Sequence, residues 1–374
     1  MVSLARKNLF HDRLRFVITV AGVAFAVTLV LVQVGLFMGL LDKSTVTIQH
    51  ANADLWITSH NTPNVDFART FPETVVLRAR SVPGVARADN LIVAFMTIQL
   101  PSGAAEGALV YALEDFVSWN LPWNVQQGSP ADLKRGYALL MDRSAALRYG
   151  AFAVGEQREI LGRRFRIVGT TAEAASFTTT PIVFMDYRNA QELQEQLRGN
   201  TTYVLVRLAP GADARAVQTE LRRRLPYNDV LTREEWALQS RNYWVKSTGL
   251  GMSMGVTVFL GILVGIVIVA QTLYTSAVEH IKEFGTVKAI GGSNFAIYRI
   301  LGEQALIAAV IGFALGALFS YAARPLIAEI HLNVLLSPAF SAIVFAGTVL
   351  MCLGAALVSF RRVSAIDPAL VFRT

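Results

Sequence analysis

The sequence predicts an α-helical membrane protein: four transmembrane helices, with a mixed α/β extracytoplasmic domain inserted between helices 1 and 2. Three observations predict it. Only 16% of the 374 residues are charged while 53% are apolar, and the mean hydropathy is +0.44, where a soluble chain carries roughly 25% charge. The apolar residues are clustered: Phe16–Leu41, Ser247–Val278, Gln304–Ala323 and Ile330–Phe360 contain no Asp, Glu, Lys or Arg. Outside residues 42–246, where acidic and basic side chains nearly balance, almost all basic residues fall at the N-terminus, in one loop and at the C-terminus.

Each charge-free window reaches the roughly 20 residues that a helix needs to cross hydrocarbon, where every backbone polar group must be satisfied within the segment. The first window follows Arg6, Lys7, Arg13 and Arg15, as a signal peptide would. Its apolar run exceeds the roughly 7–15 residues of a signal h-region and no A-x-A site closes it, so it reads as a retained span.

The net charge of +7 is a topology signal rather than a nucleic-acid footprint. From Asp42 to Lys246 acidic and basic side chains nearly balance. The excess lies at the N-terminus, in the loop holding Lys282, Lys288 and Arg299, and in Arg361, Arg362 and Arg373. Lys and Arg of short loops stay cytoplasmic, which puts both termini and that loop inside and residues 42–246 outside. The expected divisions are a cytoplasmic segment 1–15, spans 16–41, 247–278, 300–323 and 338–360, the outer domain 42–246, a cytoplasmic loop 279–299, a short outer loop 324–337 and a tail 361–374.

Within 42–246, strands are predicted at Ala53–Thr58, Leu91–Leu100, Ala108–Leu113, Arg158–Ile160, Arg164–Val168, Ile182–Met185 and Tyr203–Leu208. Helices are predicted at Phe71–Ser81, 187–197 and from Asp213 into Arg222, Arg223 and Arg224, a basic end that complements the helix dipole. Such alternation argues for a mixed sheet with helices packed on it. Thr232 with Glu235 is a capping box. It opens a helix expected to continue as a stalk through the second span to about Ile290, with Gly249 and Gly251 as the alternative break points. Tyr243 and Trp244 stand where an aromatic belt would anchor the outer face.

Catalytic signatures are missing from the sequence. It has no G-x-x-x-x-G-K-[ST], no H-E-x-x-H and no G-x-S-x-G. His11, His50, His60, His280 and His331 lack metal-ligand spacing, and the single Cys352 excludes a disulfide framework. The pair Glu114–Asp115 reads as a turn or solvated edge. No row of ionisable residues marks an ion path through the spans. Any work this chain does is therefore powered by a partner, and no cofactor is expected on the chain itself.

The loop after the second span reads Glu279-His280-Ile281-Lys282-Glu283-Phe284-Gly285-Thr286-Val287-Lys288-Ala289-Ile290-Gly291-Gly292-Ser293. Gly291-Gly292 stops a helix and Ser293 can cap the next. Phe284, Val287 and Ile290 fall on adjacent turns as an apolar face. From the residues alone this is either a docking helix for a cytoplasmic partner or an ordinary interfacial turn.

This loop resembles R-E-I-G-I-L-R-A-I-G-A-S of the MacB/FtsX-like permease subunits of ABC transporters, with Glu283, Gly285, Lys288, Ala289, Ile290, Gly291 and Ser293 matching. Glu303 resembles their acidic residue at the start of the third span. Arg361-Arg362-Val363-Ser364-Ala365-Ile366-Asp367-Pro368-Ala369 resembles their closing R-R-x-S-x-I-D-P-A. Lys282 departs from the arginine found in many relatives. Residues 53–59, Tyr243-Trp244 and 272–275 are most similar to the DevC branch. The resemblance implies a type VII ABC permease-like fold and a homodimer bound to two copies of a cytoplasmic ATPase, which would hold the ATP and Mg. Glu279, Lys282, Glu283, Phe284, Val287, Lys288, Ile290, Gly291 and Gly292 would contact that ATPase, while Glu303, Arg361, Arg362, Asp367 and Pro368 would form an inner-end motif. It further implies mechanotransmission with a membrane-fusion adaptor and a TolC-type duct, and a lipid, glycolipid or other amphiphile as cargo. The alternative is a signalling relay that activates an extracytoplasmic cell-wall hydrolase. A membrane-bound enzyme fits least.

Overall fold

The structure is a computed structural model that describes residues 13–176, 180–279, 293–329 and 332–364. By contacts the chain forms two units, residues 40–250 and the remainder.

The first unit along the chain is the membrane bundle. Its helices are α1 (Arg13–Lys43) and, beyond the domain, three more of span length. All four are apolar enough to cross a membrane.

The inserted domain starts with α2 (Val46–His50) and β1 (Leu55–Ser59). It continues through β2 (Phe71–Pro72), α3 (Val75–Arg80), β3 (Val85–Gln99), β4 (Ala105–Leu113), β5 (Val125–Gln127), β6 (Ala138–Asp142), β7 (Gln157–Ile160), β8 (Arg163–Thr171) and β9 (Ile182–Asp186). After α4 (Tyr187–Leu193) come β10 (Asn200–Thr201), β11 (Tyr203–Leu208), α5 (Ala214–Arg224), β12 (Asn228–Thr232) and α6 (Arg233–Asn242). The main sheet runs β12-β1-β11-β3-β4-β9-β6-β8-β5, with β7 pairing β3 and β8. It is mixed: β4–β9 and β6–β8 are parallel and the other pairs antiparallel. The central strands are buried on both faces. Leu109, Tyr111 and Leu113 point into a core with Trp56, Phe184, Tyr203 and Trp236. Ala108, Val110 and Ala112 point into a second core with Val183, Phe165 and Tyr149.

Two expectations are corrected in this domain. Phe71–Ser81 is not one helix: Phe71–Pro72 pairs with Asn200–Thr201 and only Val75–Arg80 is helical, since Pro72 holds extended backbone and cannot donate within a helix. Strands β5, β6 and β12 were not anticipated. The second and third of these carry buried positions, including all five of β6.

The continuous stalk is also corrected. The capping box forms, with Thr232 Oγ1 accepting from the Glu235 amide at 3.2 Å and the Glu235 carboxylate accepting from the Thr232 amide at 2.9 Å. Helix α6 then loosens into a π turn at Tyr243–Ser247, and Gly249 adopts φ +73°. That left-handed conformation is open to glycine and strained for other residues, and it ends the stalk. The second span restarts as α7 (Leu250–Glu279), followed by α8 (Asn294–Glu329) and α9 (Pro338–Ser364).

In the bundle, α1 is gripped from two sides by glycines spaced four apart. A methyl at Gly312 or Gly316 of α8 would lie 2.6 Å and 2.7 Å from Cβ of Val23 and Val27 of α1. On α7, Gly261 meets Leu29, and Gly265 meets Ala26 and Met351. Lipid offers no hydrophobic drive for helix association, so close backbone approach through such pairs supplies the packing. Thr28 Oγ1 donates to Ala24 O at 2.8 Å and Gly316 O at 3.2 Å. Within the bundle unit, the segment before α9 returns to α1, with the Leu335 amide donating to Gly35 O at 3.0 Å.

Candidate functional site: the span ends and the polar clusters of the domain

Among the residues expected to face an ATPase, Glu279 is described. Lys282, Glu283, Phe284, Val287, Lys288, Ile290, Gly291 and Gly292 lie outside the described residues, as do Asp367 and Pro368. Glu279 is the last described residue of α7, at the end opposite to the one entered from the domain. Its two carboxylate oxygens accept separately from Nη1 and Nη2 of Arg15, in the first turn of α1. The fork-on-fork geometry is the strongest a guanidinium can make with a carboxylate. Directly along α1 and α7 lies a small crevice lined by Arg15, Phe16, Thr19, Thr272, Ser276 and Gln304, among others. Thr19 and Gln304 are buried there. Gln304 follows Glu303, whose carboxylate pairs with Arg299 one turn earlier at 3.3 Å. Of the expected site residues that are described, Glu279 lies at the end of α7, Glu303 near the start of α8, and Arg361 and Arg362 in the last turns of α9. Arg15 was not singled out by its own role in the sequence, where it served only as part of a basic cluster.

Several charged residues of the domain are held in structural pairs. Asp89 accepts from Arg80 Nη2 at 2.8 Å, Arg87 Nε at 2.6 Å and Trp119 Nε1 at 2.8 Å. Asp115, expected on a solvated edge, accepts from Ser118 Oγ at 2.7 Å and Arg87 Nη2 at 2.8 Å. The Ser118 hydroxyl, with Arg87 behind it, lowers its carboxyl from the usual range. Asp142 is fully buried and accepts from the Ser144 amide and hydroxyl, Thr171 Oγ1 and the Ala174 amide. Burial pushes the Tyr149 hydroxyl up to about 12 and the Tyr187 hydroxyl well up as well. Arg222 donates to Val230 O at 2.7 Å, and Arg223 and Arg224 both bind Glu220. The basic run is therefore bound within the domain. His60 Nδ1 lies 2.9 Å from Asp229, and His50 stacks on Trp123. Among the described residues, no group of three His, Cys, Asp or Glu is placed to hold a metal ion.

Trp244 is buried rather than set in an exposed belt. It packs with Tyr243 at 5.3 Å and Phe67 at 5.9 Å between ring centroids, and Phe67 reaches Phe95 at 6.2 Å. Phe67 and Phe95 are the exposed members of this cluster, and they are joined to it from distant parts of the chain.

Comparison with known proteins matches two families in chain order, the first running from the first span through most of the domain and the second over the later spans. The MacB-like periplasmic core domain family matches residues 16–224, and the FtsX-like permease C-terminal family matches residues 255–368. An uncharacterized ABC transporter permease of Mycobacterium tuberculosis is 24% identical over 378 residues, covering 100% of this chain and 99% of the relative. Another, of Mycobacterium bovis, is 26% identical over 376 residues with the same coverage. The periplasmic region of MacB from Actinobacillus actinomycetemcomitans aligns with 50% of this chain and 92% of its own, at 9% identity and a TM-score of 0.40. The extracellular domain of the noncanonic ABC-type transporter YknZ from Gram-positive bacteria aligns with 48% and 99%, at 14% identity and a TM-score of 0.35.

Proposed function

The chain belongs to the MacB/FtsX-like family of ABC transporter permeases, and from that premise we propose that it works by mechanotransmission. In this reading a separate cytoplasmic ATPase docks on residues 279–292, and its closure drives the inner ends of the spans. Two copies of the chain pair, and the domains on the far side do the work. The lack of a phosphate loop in the whole sequence supports ATP and Mg being held by the partner. The observation that carries the reading is the match of both family regions in chain order, with the loop motif lying between the second and third spans.

The finer assignment follows the DevC-like features of the sequence. The permease would export a lipid, glycolipid or other amphiphile through a membrane-fusion adaptor and a TolC-type duct, from a bacterial inner membrane with both termini cytoplasmic. The test is co-purification from native membranes. An ATPase and an adaptor should come down with the chain, and Phe284→Glu or Gly291→Arg should abolish ATP-coupled function while insertion persists. Recovery of a cell-wall hydrolase in place of the adaptor would replace export by the signalling relay. ATP-coupled function undiminished in both variants would remove the loop from the mechanism.

A further inference from the structure

We propose that Arg15 is a positioning residue for coupling: through its fork with Glu279 it ties the root of the ATPase-docking segment to the first span. The inference rests on the mechanotransmission reading above and adds to it the contact through which the force leaves the loop.

Three observations converge. The fork joins two helices far apart in sequence, at the first turn of α1 and the last described residue of α7. Residue 280 follows immediately, so a displacement of the docking segment acts on Glu279 before any other described residue. Second, Arg15 and Glu279 keep 30% and 49% of their side-chain surface exposed. They are neither buried charges nor fully solvated ones, and their pairing is directional. Third, the crevice beside Arg15 brings Thr19 of α1, Thr272 and Ser276 of α7 and Gln304 of α8 together. Phe16, Leu273 and Ala308 complete that lining, so α1, α7 and α8 meet directly beside the fork.

The contacts deeper in the bundle are of another kind. Gly22 against Ile268 and Gly265 against Ala26 are close apolar approaches. They resist separation of α1 and α7 but carry no directional bond along the helix axes. A bidentate pair fixes both distance and orientation, so it transmits a push or a turn that apolar packing lets slip. The Arg299–Glu303 pair lies within one helix and cannot do this.

The test uses the full-length chain with its co-purified ATPase in reconstituted membranes, reading permease-dependent ATP hydrolysis and, separately, the amount of ATPase bound. Arg15→Glu and Glu279→Arg should each lower coupled hydrolysis about fivefold, the size that one well-formed pair near the surface can account for. The Arg15→Glu chain should still bind its ATPase. The double reversal should restore coupling. Arg15→Lys, which keeps the charge but loses the fork, should couple partly and lose that coupling as salt rises. Glu279→Gln, with unchanged shape, should match the single reversals and covers the case in which those do not accumulate. Wild-type coupling in Arg15→Glu, or a double reversal no better than the singles, would overturn the proposal. A wild-type chain that binds no ATPase would overturn the proposed function instead.

Discussion

In the domain, Asp142 has no exposed surface and meets a donor from Thr171, from the Ala174 amide and twice from Ser144. In the bundle, helices come close where there is no side chain, as at Gly312 and Gly316 against α1. The two units solve different problems. A domain in water buries apolar area on both faces of its sheet, and each carboxylate it buries must be fully partnered. A bundle in lipid gains little from burying leucine, so it gains from bringing backbones close. Its spans are also unequal. The first has 44% of its most apolar window buried and the second only 17%, leaving Met252, Phe259 and Leu260 outward on α7. The first span is the axle of the bundle, and the second leaves an apolar face exposed.

All five tryptophans lie between Trp56 and Trp244, so intrinsic fluorescence reports on the domain while chromatography in detergent reports on the bundle. The largest effect is expected from Gly316→Leu. Its side chain would start 2.7 Å from Val27 Cβ and 2.8 Å from Ala24 O, and backbone cannot yield as a side-chain tip does. The monodisperse species should be lost while the tryptophan spectrum keeps its native maximum. A shifted spectrum would break the separation of the two units. Asp142→Ala should do the reverse, leaving four donations unanswered and costing the domain about 3–5 kcal/mol by denaturant unfolding. An intact domain would show that water replaces the carboxylate. Thr232→Ala removes half of the capping box and should cost about 1 kcal/mol by the same measurement, or nothing if the sheet alone holds α6. The smallest effect concerns acid. Arg223 and then Arg224 hold the Glu220 carboxyl down from 4.5 to about 2. A lowered value in the folded state means that its stabilisation is present above about pH 4.5 and is lost as pH falls toward 2. Glu220→Gln should flatten the acid limb of the domain's unfolding midpoint slightly, and no change would mean that solvent screens the cluster completely.

The spans were legible because charge-free length is a direct statement of what hydrocarbon tolerates. The capping box at Thr232 was legible because it needs two residues three apart. The π turn and the break at Gly249 were only half visible: the sequence offered the glycine, but its left-handed conformation depends on how the chain leaves α6. Strand β6, Ala138–Asp142, has all five positions buried. It lacks the alternation that marks a strand with one wet face, and it went unnoticed. The glycines of 312–316 and 261–265 were readable as small-residue motifs and would have identified the surfaces that grip α1. At the candidate site the loop motif was plain in the sequence. The role of Arg15 was not, because an ion pair between residues 15 and 279 leaves no local pattern.

The central claim, that force enters through residues 279–292, is tested most directly by a photo-cross-linking residue at position 284 in native membranes. The account predicts a covalent adduct with an ATPase carrying a phosphate loop, formed with the label shielded from reagents added outside the cell. An adduct with an extracytoplasmic protein, or labelling of position 284 from outside, would contradict it.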